Sequence, residues 1–452
     1  MDNNEKVKMR TQDPETRSHN FEQVELGFNK EEALKEASRC LHCKIPKCVE
    51  GCPVKIQIPE FIAALKDGDV EKAYQIINES SSLPAICGRV CPQEKQCEHN
   101  CVRGIKGEAI SIGSLERYVA DEALNNDFAI PVSSKKKNKS VAIVGSGPAG
   151  LTCAGDLAKA GYDVTIYEVL HKAGGVLTYG IPEFRLPKAI VNKQIESLKK
   201  LGVKILVNVP IGNAITIPDL QKQYDAIFIG TGAGLPKFMG IPGEDASGVF
   251  SANEILTRIN LMGAFKDKAK TPIKNAKVAY VIGGGNVAMD SVRCLKRLGI
   301  ETHLMYRRGE DELPARKMEV IHAQEEGIIF NLLTNPTKII VDEENNVTGM
   351  EVVDMELTEP GEDGRRNVVP KEGSEHIVKC DMVVMALGTG PNHEALKNSN
   401  IVLTDRGLIE VDGTKTSLKN TFAGGDAVTG AATVILAMEA GKKAAAEIMK
   451  TI

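Results

Sequence analysis

Eight cysteines crowd residues 40–101, and only three more follow in the rest of this 452-residue chain. Cys40, Cys43, Cys48 and Cys52 are spaced C-x2-C-x4-C-x3-C and run straight into Pro53. Cys87, Cys91, Cys97 and Cys101 are spaced C-x3-C-x5-C-x3-C, with Pro92 after Cys91. A cubane iron–sulfur cluster needs about four thiolates converging on one small volume. Short spacings on a turn supply three, and in ferredoxin-like runs ending Cys-Pro the fourth serves the other cluster. The spacing therefore predicts two [4Fe–4S] clusters with crossed ligation. One takes Cys40, Cys43, Cys48 and Cys101; the other takes Cys52, Cys91 and Cys97 plus one further ligand. Structural zinc fits poorly, because zinc sites pair C-x2-C units or add histidines, and only one such pair is present. His42, between two of the cysteines, reads as a packing or hydrogen-bonding neighbour. Cys153, Cys294 and Cys380 have no cysteine neighbours and read as small core residues.

Around the cysteines, residues 30–40, 59–78 and 111–124 carry apolar positions at three- and four-residue spacing, which predicts helices. Residues 1–138 are thus expected to form a small helical domain, poor enough in apolar sequence for metal to help hold it together. The N-terminus MDNNEKVKMRTQDPETRSHN has no apolar signal core, and no run approaches ~18 apolar residues. A cytoplasmic protein without a membrane span is expected, where cysteines serve as metal ligands or buried thiols rather than disulfides. A net charge of -4, 4% aromatics and no Trp give no case for nucleic acid.

A basic linker, SSKKKNKS at 133–140, separates this front end from a different texture. Apolar strands then alternate with helices, which predicts parallel sheets covered on both faces. VAIVGSGPAG at 141–150 and VAYVIGGGNVAMD at 278–290 repeat one pattern, a strand, a glycine turn and a helix, so two dinucleotide folds are expected. The expected fold class is α/β: two Rossmann-like dinucleotide-binding domains, preceded by an α-helical domain carrying two [4Fe–4S] clusters. The polar stretch 341–376 reads as a surface β-meander within the second unit.

In the first unit, Gly145-x-Gly147-x-x-Gly150, with Pro148 and Ala149 inside it, permits a tight turn and a pyrophosphate on the helix N-terminus. Glu168 ends the next strand, where a carboxylate accepts from ribose hydroxyls. Gly174, Gly175 and Val176 then open the loop GGVLTYGIPEFRLP, which contains Arg185. Near the C-terminus, Gly424, Gly425 and Asp426 end a strand before a helix that starts after Thr433, placing Asp426 for the flavin ribityl or pyrophosphate. These three separated elements favour FAD. In the second unit, Gly283-x-Gly285-x-x-Ala288, with Asn286, is followed by a strand ending in Arg307 and Arg308. No carboxylate stands at the 2'-hydroxyl position, and two arginines can fork onto a 2'-phosphate, which favours NADP(H). GTGAG at 230–234 and ALGTGPN at 386–392 read as crossings between the units.

With these motifs assembled, residues 20–452 resemble the small (β) subunit of NADPH-dependent glutamate synthase. They are also similar to the FAD/[4Fe–4S] large subunit of an electron-bifurcating NADH-dependent ferredoxin:NADP oxidoreductase, and to the front of dihydropyrimidine dehydrogenase. The resemblance implies FAD, NADP(H) and two [4Fe–4S] clusters, in domains at 1–138 (iron–sulfur), 139–258 with 388–452 (FAD) and 259–387 (NADP(H)). It also implies that Glu116 can supply an oxygen ligand to the second cluster, where Cys87 is the other candidate. No side chain is expected as nucleophile or general base; Arg185 or Asp290 would at most bind or tune a cofactor. FAD would convert between a two-electron hydride and one-electron clusters. The expected partner is a larger glutamate synthase-type subunit, or a second flavoprotein or ferredoxin subunit, in a hetero-oligomer. The alternatives are the bifurcating transhydrogenase subunit, a standalone sulfide or ferredoxin oxidoreductase, and a non-catalytic zinc-stabilised nucleotide-binding scaffold.

Overall fold

The computed structural model describes residues 4–361 and 366–452. The first three residues of the polar N-terminus, and 362–365 of the expected β-meander, lie outside the described residues. Cysteine-bearing turns at the front are held by short capped helices. Lys30–Ala37 starts at Asn29, whose side chain accepts from the Glu32 N–H while Glu32 reaches back to Asn29. The periodic stretch 59–78 forms two helices, Ile58–Lys66 and Val70–Ser80, rather than one. Gly68 at φ +84° ends the first, and the Asp69 side chain caps the second by accepting from the Lys72 N–H. Ile112–Asn126 completes this bundle.

Two five-stranded parallel sheets follow. The first runs Lys204–Leu206, Asp163–Tyr167, Ser140–Val144, Ala226–Ile229, Thr421–Ala423. The second runs Val249–Ser251, Met382–Met385, Val278–Ile282, Glu301–Tyr306, Ile329–Leu332. In each sheet the glycine-turn strand sits centrally, where strand order reverses and a crevice opens beyond the strand ends. Val249–Ser251, which the sequence-based division puts in the first unit, pairs with Met382–Met385 in the second sheet. The chain crosses between units on Leu235–Pro236 and returns on Thr389–Gly390, and these two crossings pair antiparallel. The 341–376 region belongs to an antiparallel sheet of Thr334–Val341, Val347–Pro360, Arg366–Pro370 and His376–Lys379.

The cysteine bundle and the first sheet share one apolar core, continuous from Phe28 through Phe61, Leu115 and Leu151 to Ile448. The helical front end therefore buries its apolar faces against the first nucleotide unit as well as on itself. Among the described residues no helix is long and apolar enough to cross a membrane.

Candidate cofactor sites

The eight cysteines gather into two groups. Cys40, Cys43, Cys48 and Cys101 line one concavity, floored by Ile58, Ile62 and Ile110. Cys40 interacts electrostatically with Cys101 and Cys43, and Cys48 with Cys101 and Cys40. His42 is exposed, and its left-handed backbone (φ +47°) turns its N–H onto Cys40. The other group, Cys52, Cys91 and Cys97, is buried, and all three thiols feel the Glu116 carboxylate. Burial pushes the Cys48 and Cys52 thiols up to about 11. Neutral thiols are therefore the resting state without metal, and a cation must displace their protons. Among the described residues no three His, Cys, Asp or Glu side chains converge closely enough to hold a single metal ion.

Cys87 and Glu116 both face the buried group, and the structure separates their circumstances. Cys87 Sγ has partners: it donates to Met438 Sδ of the C-terminal helix at 3.3 Å, lies 4.0 Å from the Ser81 hydroxyl, and hydrogen-bonds with Cys91. Glu116 is buried, its Oε1 has no hydrogen-bond partner, and burial alone pushes it up to about 8. A buried carboxylate oxygen without a partner costs roughly 1–3 kcal/mol, or more if charged, unless a cation satisfies it. A cluster iron held by Cys52, Cys91 and Cys97 would be such a cation.

The glycines of the first nucleotide turn divide their tasks. At Gly145 (φ +101°) an added Cβ would sit 2.5 Å from the Gly230 carbonyl, and at Gly150 it would sit 2.0 Å from the Gly145 carbonyl. At Gly147 an added Cβ meets nothing within 4 Å. The first and third glycines thus permit backbone packing, while the second faces open space at the N-terminus of Pro148–Lys159, where a pyrophosphate fits. Glu168 is buried behind the turn; its Oε2 accepts from Ser146 N at 3.0 Å and from the Ser146 hydroxyl, and its Oε1 from Leu170 N at 2.8 Å. Ser146, which sequence reasoning passed over, also accepts from Gly174 N at 2.9 Å and so ties the Gly174–Gly175 loop to the turn. Gly175 (φ +53°) approaches Gly147, and Val176 starts the helical turn Val176–Tyr179.

Gly425 (φ +72°) packs against Ala149 and Ala437, which brings Asp426 to the same turn. Burial raises Asp426 to about 6. Half-buried Tyr179 feels both Asp426 and Glu168, so these groups face one site. Thr433 caps the long helix Val434–Thr451, accepting from Leu436 N. At Gly441 a Cβ would lie 2.2 Å from the Ala149 carbonyl, so this helix packs tightly along the first glycine helix.

The second turn repeats the scheme. A Cβ at Gly283 (φ +142°) would sit 2.4 Å from the Ala386 carbonyl, whereas at Gly285 it meets nothing within 4 Å. Ala288, in the third position, is fully buried. The Asn286 side chain accepts from Arg316 N at 3.0 Å and anchors the segment that covers the turn. Arg307 is exposed; Arg308 donates to the Arg366 carbonyl at 3.2 Å, which holds the antiparallel ribbon beside the arginine pair. Arg185 does not face open space. It is buried against Asp290 and Glu319, in an ion-pair cluster that takes in Arg293, Arg297, Glu326 and, from the N-terminal arm, Arg17. Phe184 lies under Arg293 and Arg297 at 4.6 and 3.8 Å. Cys153, Cys294 and Cys380 are buried thiols.

Two family models match the chain. Residues 17–128 match dihydropyrimidine dehydrogenase domain II, 4Fe-4S cluster, and residues 139–441 match pyridine nucleotide-disulphide oxidoreductase. The chain is 36% identical over 441 residues to the glutamate synthase [NADPH] small chain of Escherichia coli, covering 95% of this chain and 93% of that one. It is 40% identical over 428 residues to the NADP(+)-dependent formate dehydrogenase subunit beta of Moorella thermoacetica, covering 89% of this chain but 59% of that relative's length. Among solved structures, Mycobacterium tuberculosis FprA in complex with NADPH superposes with a TM-score of 0.59 at 19% identity, over 69% of this chain and 84% of that one, which shows a shared fold.

Proposed function

Since this chain belongs to the pyridine nucleotide-disulphide oxidoreductase family, and within it to the group of NADPH glutamate synthase small chains, we propose that it passes electrons between NADPH and a partner protein through FAD and two [4Fe–4S] clusters. It is an NADPH-dependent iron–sulfur flavoprotein oxidoreductase. When bound, FAD exchanges a hydride's two electrons with NADPH and single electrons with the clusters.

The chain's own residues bind, orient and shield. Gly147 and the helix behind it receive the FAD pyrophosphate, with Gly145, Pro148, Ala149 and Gly150 shaping the turn. Glu168 accepts from the ribose hydroxyls, displacing part of its contact with Ser146. Gly174, Gly175 and Val176 close over the flavin, and Gly425, Asp426 and Thr433 meet it from the C-terminal side. Gly283, Gly285, Asn286 and Ala288 form the NADP(H) turn, and Arg307 with Arg308 holds the 2'-phosphate. Cys40, Cys43, Cys48 and Cys101 ligate one cluster. Cys52, Cys91, Cys97 and Glu116 ligate the other, with Cys87 beside them as a hydrogen-bonding neighbour. Arg185 acts on the cofactors at a distance, by holding the two nucleotide units together.

The observation that carries this reading is the orphaned Glu116 oxygen among three buried thiols, next to a core shared with the flavin unit. The partner we favour is a larger glutamate synthase-type subunit. A bifurcating assembly with a second flavoprotein shares every motif, and the zinc-stabilised scaffold is disfavoured by the cysteine spacing, which offers only one C-x2-C pair. A cytoplasmic setting suits eleven free cysteines. The test is anaerobic purification with metal and flavin analysis, followed by identification of the co-eluting subunit. About eight irons and one FAD per chain are expected; zinc without flavin would end the proposal.

A further inference from the structure

Arg316 joins the second nucleotide unit to the buried thiol group. Its backbone N–H, which donates to Asn286 Oδ1, ends the segment that covers the second glycine turn; there Ala315 N also donates to the Gly284 carbonyl at 3.3 Å. Its side chain leaves that unit and enters the helical front end. Nη1 donates to the Arg89 carbonyl at 3.1 Å, and Nη2 donates to Gln93 Oε1 at 3.3 Å. These partners stand on either side of Cys91 in the chain. Gln93 in turn donates to the Cys87 carbonyl at 3.3 Å. It also packs on Gly113, in the helix that carries Glu116, where an added Cβ would meet Gln93 Nε2 at 2.3 Å. The guanidinium thus braces the Cys91–Pro92 turn from both sides.

Its charge is weakly answered. Arg185, Arg293 and Arg297 each donate to a buried carboxylate, at 2.7, 2.9 and 2.7 Å. Arg316 has one ion pair among the described residues, to Glu94, whose Oε1 lies 3.7 Å from Nε; neither atom has a hydrogen-bond partner. The Arg316 side chain is 10% exposed and that of Glu94 31%, so water screens the carboxylate more than the cation. Glu319 and Glu98 also feel Arg316. Glu319 is already shared by Arg185 and Arg293, and Glu98, next to Cys97, accepts from Gly113 N at 3.1 Å. A buried charge that is incompletely cancelled acts strongly on its neighbours, because the surrounding dielectric is low.

We propose that Arg316 is a positioning residue for electron transfer: it braces the Cys91 turn and raises the reduction potential of the inner cluster, the one held by Cys52, Cys91, Cys97 and Glu116. The inference rests on the electron-transfer reading above and adds which side chain outside the ligand set governs that cluster. Each electron taken up by a cluster adds one negative charge, which a fixed cation beside it favours. Net charge and hydrogen bonds around the ligands are the protein's means of setting such potentials. A carboxylate ligand works in the opposite direction, so Arg316 offsets Glu116. Because the cation belongs to the second nucleotide unit, the potential also depends on how that unit sits on the front end.

The test is a dye-mediated redox titration of the anaerobic holoprotein, followed by low-temperature EPR, which reads both clusters in one sample. Arg316→Gln should keep about eight irons per chain. It should lower the inner midpoint by about 59 mV or more, the one-electron equivalent of a tenfold change. Arg316→Lys, which keeps the charge, should stay closer to the parent. Glu94→Gln removes the opposing charge at a half-buried site and should move the inner midpoint upward. That variant decides the matter even where Arg316→Gln does not accumulate, since no rise there would overturn the proposal. In every variant the Cys40/Cys43/Cys48/Cys101 cluster, the internal reference, should move less. An inner midpoint unmoved by Arg316→Gln would also overturn the proposal. So would equal falls in the Gln and Lys variants, equal shifts of both clusters, or loss of the inner irons, each of which reduces Arg316 to a structural contact. A parent protein without iron or flavin would instead sink the underlying electron-transfer reading.

Discussion

Arg185, on the loop that follows the flavin-side glycines, donates from Nη1 to both carboxylate oxygens of Asp290 at 2.7 and 2.8 Å, and Asp290 lies on the helix of the second glycine turn. The pair joins the two nucleotide units through a buried contact 105 residues apart in sequence. Arg185 Nε also lies 2.9 Å from Glu319, although its N–H is poorly aimed there. Burial opposes the Arg185 charge, but Asp290 and Glu319 outweigh it and hold the guanidinium charged. Hydride transfer needs the two bound rings in register, so this contact sets a distance that neither unit sets alone.

Asp290→Asn should cost up to about 3–5 kcal/mol, because it takes away the bidentate partner of a buried guanidinium and leaves Glu319 alone to offset its charge. The double replacement Arg185→Met/Asp290→Leu removes both charges and should recover most of that loss in a denaturant titration. NADPH-dependent flavin reduction in the double variant should stay slow while its KM for NADPH changes little. Recovery of both stability and rate would show that the pair is structural only.

Gly147→Ala should leave the apo fold within about 1 kcal/mol of the parent, since the new methyl meets no atom, yet the purified protein should lose FAD. Gly150→Ala should destabilise the fold itself by about 1–3 kcal/mol or more, through the clash with the Gly145 carbonyl. Thermal melts beside flavin absorbance separate the two effects. Gly147→Ala retaining full flavin would place the pyrophosphate elsewhere.

Arg307→Leu should raise the KM for NADPH by about 10- to 150-fold, the range for a charged hydrogen bond worth ~1.5–3 kcal/mol. The KM for NADH should hardly move. Steady-state kinetics with each nucleotide checks this, and an equal loss with both would assign Arg307 to something other than the 2'-phosphate.

Glu116→Ala should cost the inner cluster, lowering iron from about eight to about four per chain, whereas Cys87→Ser should keep the iron. Iron analysis and low-temperature EPR of the reduced proteins give the answer. The opposite pattern would make Cys87 the ligand.

Acid should unfold the second unit in two stages. Burial, aided by Arg293, depresses His322 to about 4, so its folded value lies below the unfolded ~6.5 and the folded state resists protonation. Its stabilising contribution is complete above pH ~6.5 and is lost as pH falls toward 4. Glu326 follows: burial works against its charge, but Arg297 and Arg293 prevail and depress it to about 2. Its share is complete above ~4.3 and is lost as pH falls toward 2. His322→Gln should flatten the stability slope between pH 6.5 and 4, by at most ~1.4 kcal/mol per pH unit, without touching the lower stage. An unchanged upper slope would place the sensitive group elsewhere.

The amino-acid order by itself determined whatever repeats at short range. Cysteine spacing, two glycine turns each between a strand and a helix, and the Arg307–Arg308 pair at a strand end were legible because turns and helix starts are local geometry. The break at Gly68 was legible in kind too, as a glycine before a capping aspartate, although apolar periodicity ran through it. Tertiary structure alone decided the rest. It left the Glu116 oxygen bare while giving Cys87 partners, placed Val249–Ser251 in the second sheet, and spent Arg185 on Asp290 and Glu319. These outcomes depend on which buried groups find a partner across a hundred or more residues, and burial makes an unpaired charge costly enough to choose among arrangements that the linear pattern leaves equal.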